Sequence, residues 1–302
     1  MTEREKHTLL YHVRLIHLMA AAALYLAGAG LARYLGAQVD LSVFGLGFAW
    51  LLCLLLGTFL LGDHFNIPFI SPVLPAEVSL RSKGEWKDSV PTNILLFGSL
   101  SFLSAAGVLT ILMGVSGLIT PAVAVVLAGQ FLCSSLLVMP GLNLRHSGVG
   151  EFFLSIWLVA LPPALSFLTQ YGEFHRFLTL GIFPLFPIHL ALVLTLRLRS
   201  YPEDIRSGRK TIMVRLGWVR GVFLHNLLLL SGFLLFGAGI LFGLPPRIVL
   251  PVYLVLPPVG YLIWIYNGLE GGAPVRWRLI IFLALVGFFL PVYLIVFTAW
   301  IY

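Results

Sequence analysis

Nine long apolar runs recur along the chain and are separated by short polar connections. They cover roughly residues 11–34, 41–61, 92–113, 118–139, 152–170, 177–196, 219–242, 248–266 and 279–302. Each run is close to the ~20 residues that an α-helix needs to cross the hydrocarbon core of a bilayer. The runs are continuous, whereas the strands of a membrane β-barrel alternate between apolar and polar positions. The pattern predicts an all-α polytopic membrane protein with about nine transmembrane helices.

The composition indicates the same class. Of the 302 residues, 59% are hydrophobic and only 10% are charged, which excludes a water-soluble domain with an ordinary polar surface. The longest connection, residues 63–91, is too short to be a domain of its own, so we expect one membrane-embedded domain over residues 1–302. We expect the lipid bilayer, and no nucleic acid, among the partners of this protein.

The basic residues are unevenly distributed between the two sides of the membrane. If the N-terminus and every even-numbered connection lie on one side, only Arg33, Arg176 and Arg247 fall on the other. The positive-inside rule then places the basic side and the N-terminus in the cytoplasm. We therefore expect an integral protein of the cell (inner) membrane. Most acidic residues share the basic side, so any chemistry is expected there.

The connection after the sixth run, residues 196–217, gathers a large share of the scarce charges. Two acids, Glu203 and Asp204, stand among the bases Arg197, Arg199, Arg206, Arg209, Lys210 and Arg215. Such a mixture suits a site that holds a metal ion together with a polyanion such as a diphosphate. Positive clusters between spans are also ordinary topology signals, and composition alone favours that second interpretation.

Two other connections on the same side carry polar groups. Asp63, His64 and Asn66 leave the second run together, and side chains three apart on a helix share a face. They can contribute to one ion site, or they can be ordinary polar groups at the end of a span. In residues 140–151, glycines permit a tight turn and Glu151 begins the next helix, where an acid interacts favourably with the helix dipole.

Several short motifs follow one another in the second half of the chain. They are Arg145-x-x-Gly148-Val149-Gly150-Glu151, Gln170-Tyr171-Gly172 and Asp204-x-x-x-Gly208-Arg209-Lys210-Thr211-x-x-x-Arg215-Leu216-Gly217. This order resembles the UbiA superfamily of intramembrane prenyltransferases, and most closely the 1,4-dihydroxy-2-naphthoate polyprenyltransferases of menaquinone synthesis. The resemblance covers essentially the whole chain, although the N-terminal third matches mostly in its hydrophobic pattern.

The resemblance implies a helix bundle with a lipid-facing cavity that is capped on the cytoplasmic side. Two Asp-rich motifs there bind Mg²⁺, which holds the diphosphate of an isoprenoid donor. Ionisation of the donor leaves an allylic cation, and an electron-rich aromatic acceptor attacks it. Divalent metal, Arg and Lys can all stabilise the negative charge that develops on a leaving diphosphate.

Carried over by position, the resemblance assigns roles to individual residues. The implied metal ligands are Asp63, Asn66 and Asp204. The implied substrate-binding cations are Arg145, Arg209, Lys210 and Arg215, with Arg209 and Lys210 the stronger candidates. The implied catalytic residues are Asp63, Asp204 and Lys210.

The chain departs from the family pattern at acidic positions. The first motif, N-x-x-x-D-x-x-D, aligns with residues 59–66, so that Phe59 stands for its Asn and Asn66 for its second Asp. The first Asp of the second motif, D-x-x-x-D, is replaced by Ser200. Each replacement removes negative charge from a site for a hard cation, because neutral donors are poorer Mg²⁺ ligands than carboxylates. The chain thus lacks part of the two-metal site of the family.

Two functional classes remain open at this point. In the first, the protein is a divergent enzyme that transfers a prenyl group from an isoprenoid diphosphate to an aromatic acceptor in quinone or related lipid biosynthesis. In the second, it keeps the bundle but lacks catalysis and binds an isoprenoid, a quinone or a partner subunit. Retention of Asp63, Asp204, Arg209 and Lys210 favours the enzyme, and loss of the other acids favours the binder. A transporter has less support, because ionisable residues within the runs are few.

Overall fold

The computed structural model describes residues 14–65, 91–140, 142, 144, 148–206, 208–270 and 275–302. All regular elements within these residues are helical, and none of these residues forms a strand, so the all-α prediction is confirmed. The elements are α1 (Leu15–Tyr34), α2 (Leu41–His64), α3 (Thr92–Val115), α4 (Pro121–Val138), α5 (Val149–Val159), α6 (Leu161–Tyr171), α7 (Arg176–Ile182), α8 (Leu185–Arg206), α9 (Ile212–Leu216), α10 (Trp218–Leu241), α11 (Pro246–Val249), a 3₁₀ helix (Leu250–Val255), α12 (Leu256–Glu270) and α13 (Trp277–Ile301).

Nine segments of the described chain are helical, long and apolar enough to cross a membrane. Six of them are the single helices α1, α2, α3, α4, α10 and α13. The fifth span joins α5 to α6, the sixth joins α7 to α8, and the eighth joins α11, the 3₁₀ helix and α12. These segments correspond one to one with the nine apolar runs, which confirms the predicted number of membrane helices.

Prolines lie at the breaks in the three divided spans. Pro162 and Pro163 lie in the first turn of α6, shortly after α5 ends, and Pro184 precedes α8. Pro251 lies in the 3₁₀ helix, and Pro257 follows at the start of α12. Proline has no N–H, and its ring clashes with the carbonyl one turn earlier, so it interrupts a regular α-helix.

The sixth span is the most deeply buried of the nine, and the third span is the least buried. Helix α8 packs against α5, α10 and α13, and α1 packs against α6 and α13. Helix α3 packs mainly on α2 and leaves Ile94, Phe97 and Leu100 exposed, as suits a helix that faces lipid. Helix α8 therefore lies at the centre of the bundle.

The sixth span is longer than the sequence indicates. Helix α8 runs to Arg206 and passes through Pro202, whereas the apolar run ends near Leu196. Arg197, Leu198 and Asp204 are buried on this extension. The first half of the charged segment is therefore part of a core helix, contrary to the expectation of a connection. The extension can be buried because its charges find partners on neighbouring elements.

Candidate active site

Asp204 lies on the last turn of α8, and the turn that follows brings Arg209 back onto it. Gly208 adopts a left-handed conformation with φ 69°, which glycine reaches without the steric cost of a Cβ atom. The backbone N–H of Arg209 donates to the carbonyl of Asp204 at 2.9 Å. Arg209 Nη1 donates to Asp204 Oδ1 at 3.1 Å. The Asp204-x-x-x-Gly208-Arg209 spacing thus builds a local acid–base pair.

Arg197 connects Asp204 to Glu151 inside the protein. Its Nε donates to Glu151 Oε1 at 2.9 Å, and its Nη1 lies 3.7 Å from Asp204 Oδ2. The side chains of Arg197, Glu151 and Asp204 are 7%, 1% and 0% exposed. Buried charges need such partners, because an isolated ion in a medium of low dielectric constant is very unfavourable. We call Glu151, Arg197, Asp204 and Arg209 the buried ion-pair network.

Glu151 also joins the start of α5 to the start of α9. Its Oε2 accepts a hydrogen bond from the backbone N–H of Ile212 at 3.4 Å. Gly148 precedes α5 with φ 79°, and a Cβ atom there would lie 3.0 Å from the Ile212 nitrogen. A side chain at position 148 would therefore need both a strained backbone conformation and a small shift of Ile212. Motifs that are about 60 residues apart in sequence meet at this point.

Sequence reasoning did not include Glu151 and Arg197 among the site residues. The N-terminal position of Glu151 on α5 had a sufficient explanation in the helix dipole. Arg197 follows directly after the sixth apolar run, where a base is an ordinary topology signal. The sequence feature that could have identified them is the presence of one acid and one base on two largely apolar membrane helices, because such residues are expected to pair with each other.

Ser200, which stands where the family-like pattern has an acid, lies one helical turn before Asp204. Its Oγ is 3.3 Å from Asp204 Oδ2 and 3.2 Å from the Arg197 carbonyl. Two carboxylates at these positions would repel each other, whereas the serine hydroxyl can donate to Asp204. The replacement therefore suits an Asp204 whose counter-ions are arginines.

Lys210 and Arg215 lie at the surface beside the buried ion-pair network. Both are exposed, and Arg215 Nε donates to the Lys210 carbonyl at 3.0 Å. Neither forms a salt bridge with another described residue. The Arg209 side chain is 17% exposed and retains N–H groups beyond the one bonded to Asp204. Three of the four predicted substrate-binding cations thus lie together on the segment between α8 and α10, an arrangement that suits an anion.

Asp63, on the last turn of α2, pairs with Arg14 at the start of α1. Arg14 Nη2 donates to Asp63 Oδ1 at 2.6 Å, and the two side chains are 0% and 8% exposed. His64 does not share this contact, because its Nδ1 lies 3.0 Å from the carbonyl of Thr92 at the start of α3. The predicted metal ligand Asn66 and the predicted substrate-binding cation Arg145 lie outside the described residues.

The described residues do not fit a divalent cation. No group of three His, Cys, Asp or Glu side chains that could hold a metal ion occurs among them. The two predicted carboxylate ligands within that part of the chain, Asp63 and Asp204, each face an arginine guanidinium. Mg²⁺ prefers an octahedral set of oxygen ligands, which these paired carboxylates do not offer.

The sequence and the fold were compared with those of known proteins. No protein-family model and no curated protein sequence matches the chain. The solved structures that match include one of a digeranylgeranylglyceryl phosphate synthase, at 10% identity over 99% of this chain and 100% of that chain, with a TM-score of 0.68. A UbiA homologue from Archaeoglobus fulgidus bound to DMAPP and Mg²⁺ matches at 15% identity over 96% of this chain and 98% of that chain, with a TM-score of 0.60.

A structure of a UbiA homologue from Archaeoglobus fulgidus bound to Cd²⁺ matches at 13% identity over 95% of this chain and 99% of that chain, with a TM-score of 0.60. At these identities the similarity concerns the fold. The chain shares the fold of these UbiA homologues and of the synthase, which confirms the predicted UbiA-like helix bundle. The closer likeness to 1,4-dihydroxy-2-naphthoate polyprenyltransferases stays a prediction.

Proposed function

We propose that this protein is an intramembrane prenyltransferase that binds the diphosphate of an isoprenoid donor at the C-terminal end of α8. The observation that carries the proposal is the position of Arg209, Lys210 and Arg215 on one short segment at the buried ion-pair network, in a chain with the UbiA-type fold. One protein of that fold has been solved with DMAPP, an isoprenoid diphosphate. We infer the same class of donor here.

The charges and their positions support this assignment. A prenyl diphosphate has an apolar tail, which we place in a lipid-facing cavity of the bundle, and a highly charged head, which needs cations. Arg209 can offer several N–H donors in one plane, and Lys210 adds a compact charge. As the allylic C–O bond breaks, negative charge accumulates on the leaving diphosphate, and these cations stabilise it. Asp204 acts as a positioning residue through Arg209, and Arg145 is a further candidate for the diphosphate.

The acceptor is proposed to be an aromatic compound of quinone or related lipid biosynthesis, such as 1,4-dihydroxy-2-naphthoate. Gln130, in the middle of α4, is fully buried, and neither polar atom of its amide has a hydrogen-bond partner among the described residues. A buried amide of this kind is expected to meet a polar group, since an unpaired one costs roughly 1–3 kcal/mol. A hydroxyl or carbonyl of the acceptor is such a group. We place the reaction on the cytoplasmic side of the cell membrane.

Donor binding tests the proposal directly. Purified protein in detergent is titrated with prenyl diphosphates from DMAPP to geranylgeranyl diphosphate, and Lys210→Ala and Arg209→Ala are each expected to weaken binding about tenfold or more. Arg247→Ala is the matched control, because Arg247 is an exposed base at the opposite end of the bundle. Binding that is indifferent to both site changes would contradict the proposed donor site. Turnover with a panel of aromatic acceptors then measures prenyl transfer.

A second candidate is a protein that binds the isoprenoid without catalysis. It is favoured by the pairing of Asp63 and Asp204 with arginines, since the implied metal chemistry needs free carboxylates. A binder would retain the donor and release no diphosphate with any acceptor. Measurement of diphosphate release therefore separates the two candidates.

A further inference from the structure

We infer that arginine side chains of this protein take the charge-balancing place of a divalent cation at both acidic motifs, so that the diphosphate binds without metal. Arg197 bridges Glu151 and Asp204, and Arg14 pairs with Asp63. The inference rests on the proposed function for the identity of the anion. The placement of the arginines does not depend on that identity.

Arg197 joins two carboxylates that belong to different helices. Its Nε donates to Glu151 on α5, and its Nη1 faces Asp204 on α8. A divalent cation could link two acids across a helix interface in the same way. Here the link is a guanidinium, which always carries its charge and presents several donors in a fixed plane.

The buried ion-pair network is also balanced in charge. Two carboxylates, Glu151 and Asp204, are matched by two guanidiniums, Arg197 and Arg209. A cation that entered would have to displace a guanidinium and leave it buried without its partner. Breaking a buried ion pair in this way is strongly unfavourable. The network therefore disfavours a metal ion at Asp204.

Ser200 also favours arginine over a metal ion as the partner of Asp204. A carboxylate at this position would add a cation ligand next to Asp204, whereas the hydroxyl adds a hydrogen-bond donor. Asp204 Oδ1 faces Arg209, and Oδ2 faces both Arg197 and Ser200. Both oxygens thus meet donors, which is the environment of a structural carboxylate and not that of a metal ligand.

The first acidic motif, which contains Asp63, has its own arginine. The Arg14–Asp63 pair is buried, with 2.6 Å between Nη2 and Oδ1, and it joins the start of α1 to the end of α2. The same substitution of arginine for metal therefore occurs at both motifs, on separate helices. The anion then meets the cations of the segment after α8, namely Arg209, Lys210 and Arg215, without an intervening ion.

Electron paramagnetic resonance of Mn²⁺ tests the inference on unliganded protein. Wild-type protein is stripped with EDTA, exchanged into buffer without chelator and titrated with Mn²⁺, and no binding that depends on Asp204 or Glu151 is expected. Mn²⁺ bound by the wild type but not by Asp204→Asn or Glu151→Gln would overturn the inference. This readout needs neither donor nor turnover.

Arg197→Met provides the reverse experiment. The variant leaves Glu151 and Asp204 without the guanidinium between them, so it is expected to gain a Mn²⁺ signal and a Mn²⁺-dependent rise in Tm. Arg197→Lys keeps a positive charge and is expected to gain neither. A folded Arg197→Met protein that gains no Mn²⁺ would overturn the inference. If this variant does not fold, the Mn²⁺ titration of the wild type against Asp204→Asn and Glu151→Gln still tests the inference.

Donor binding supplies an independent measurement. The DMAPP affinities of the wild type in EDTA and in excess Mg²⁺ are expected to agree within about threefold. This corresponds to a difference in binding free energy of less than ~1 kcal/mol. Loss of DMAPP binding in EDTA would overturn the inference while leaving the proposed function intact. Failure to bind any prenyl diphosphate under either condition would instead contradict the proposed function, and the Mn²⁺ titration would remain valid.

Discussion

Arg197 Nε lies 2.9 Å from Glu151 Oε1, and both side chains are buried although the residues are 46 positions apart in the sequence. This ion pair joins the fifth span to the sixth at the end where the predicted diphosphate-binding residues lie. Removal of one partner leaves the other charge buried without it, whereas removal of both partners removes both charges. Single and double variants should therefore behave differently.

Glu151→Leu is expected to lower the free energy of unfolding by roughly 3–5 kcal/mol, because Arg197 loses its closest partner in the interior. The double variant Glu151→Leu/Arg197→Met should recover much of this loss, because apolar replacement of a buried pair is often neutral or stabilising. Thermal or denaturant unfolding in detergent measures both changes. Equal destabilisation by the single and double variants would contradict the prediction.

Gly148→Ala should destabilise the contact between the start of α5 and the start of α9. The residue has φ 79°, and the added Cβ would approach the Ile212 nitrogen to 3.0 Å. Gly117→Ala is the matched control, since Gly117 has φ 71° and no atom within 4 Å of the added Cβ. Both variants bear the left-handed strain of about 1–2 kcal/mol. Only Gly148→Ala should also weaken donor binding, and equal donor affinity in the two variants would count against the proposed site.

Arg215→Lys should reduce donor affinity by a few-fold without a change in Tm. Arg215 Nε donates to the Lys210 carbonyl at 3.0 Å, and lysine has no equivalent planar donor. The substitution keeps the net charge. Without this hydrogen bond, however, the backbone at Lys210 is held less firmly in the position that binds the donor. Arg220→Lys, at an exposed base on α10, is the control. If the two variants bind donor equally well, Arg215 has no positioning role.

Gln130→Met should raise stability by about 1 kcal/mol, because a buried amide without a partner is replaced by an apolar side chain of similar size. Prenyl transfer to an aromatic acceptor should fall while DMAPP affinity stays the same. Gln170→Met is the contrasting variant, since Gln170 Oε1 accepts from the Asp40 N–H at 2.8 Å and its loss should destabilise. A stabilised Gln130→Met enzyme with unchanged transfer would exclude the amide from acceptor binding.

Asp40 should make stability depend on pH in the acidic range. Hydrogen bonds from the Ser42 hydroxyl and from the Val43 and Ser42 backbone N–H groups lower the pKa of Asp40 below its ordinary value of 3.8. A lowered pKa in the folded state means that the carboxylate stabilises the fold above the ordinary pKa. This stabilisation is lost as the pH falls through the lowered pKa.

Unfolding measurements between neutral and acidic pH check this prediction. Ser42→Ala should raise the pKa of Asp40 towards its ordinary value and so reduce the pH dependence of the wild type. Asp40 precedes α2 and lies outside the spans, at the end of that helix opposite to Asp63. Donor affinity of Ser42→Ala at neutral pH is therefore expected to match that of the wild type, and a loss of affinity would contradict this separation.

The sequence by itself determined the class, the number and the order of the membrane helices. Apolar runs of span length can be read locally, because a helix satisfies its own backbone hydrogen bonds and needs only enough apolar residues to remain in lipid. The motif spacing also indicated which cations lie together, since Arg209, Lys210 and Arg215 are close in the chain and Gly208 allows the turn that joins them to Asp204.

Only the tertiary structure decided what the charges do. Whether a carboxylate holds a metal or an arginine depends on which side chains the packed helices bring within about 3–4 Å, and such partners are far apart in sequence. The Glu151–Arg197 and Arg14–Asp63 pairs are separated by 46 and 49 positions, respectively. The extension of α8 to Arg206 also depends on tertiary contacts. Arg197 and Asp204 can be buried on it only because other residues supply opposite charges to them.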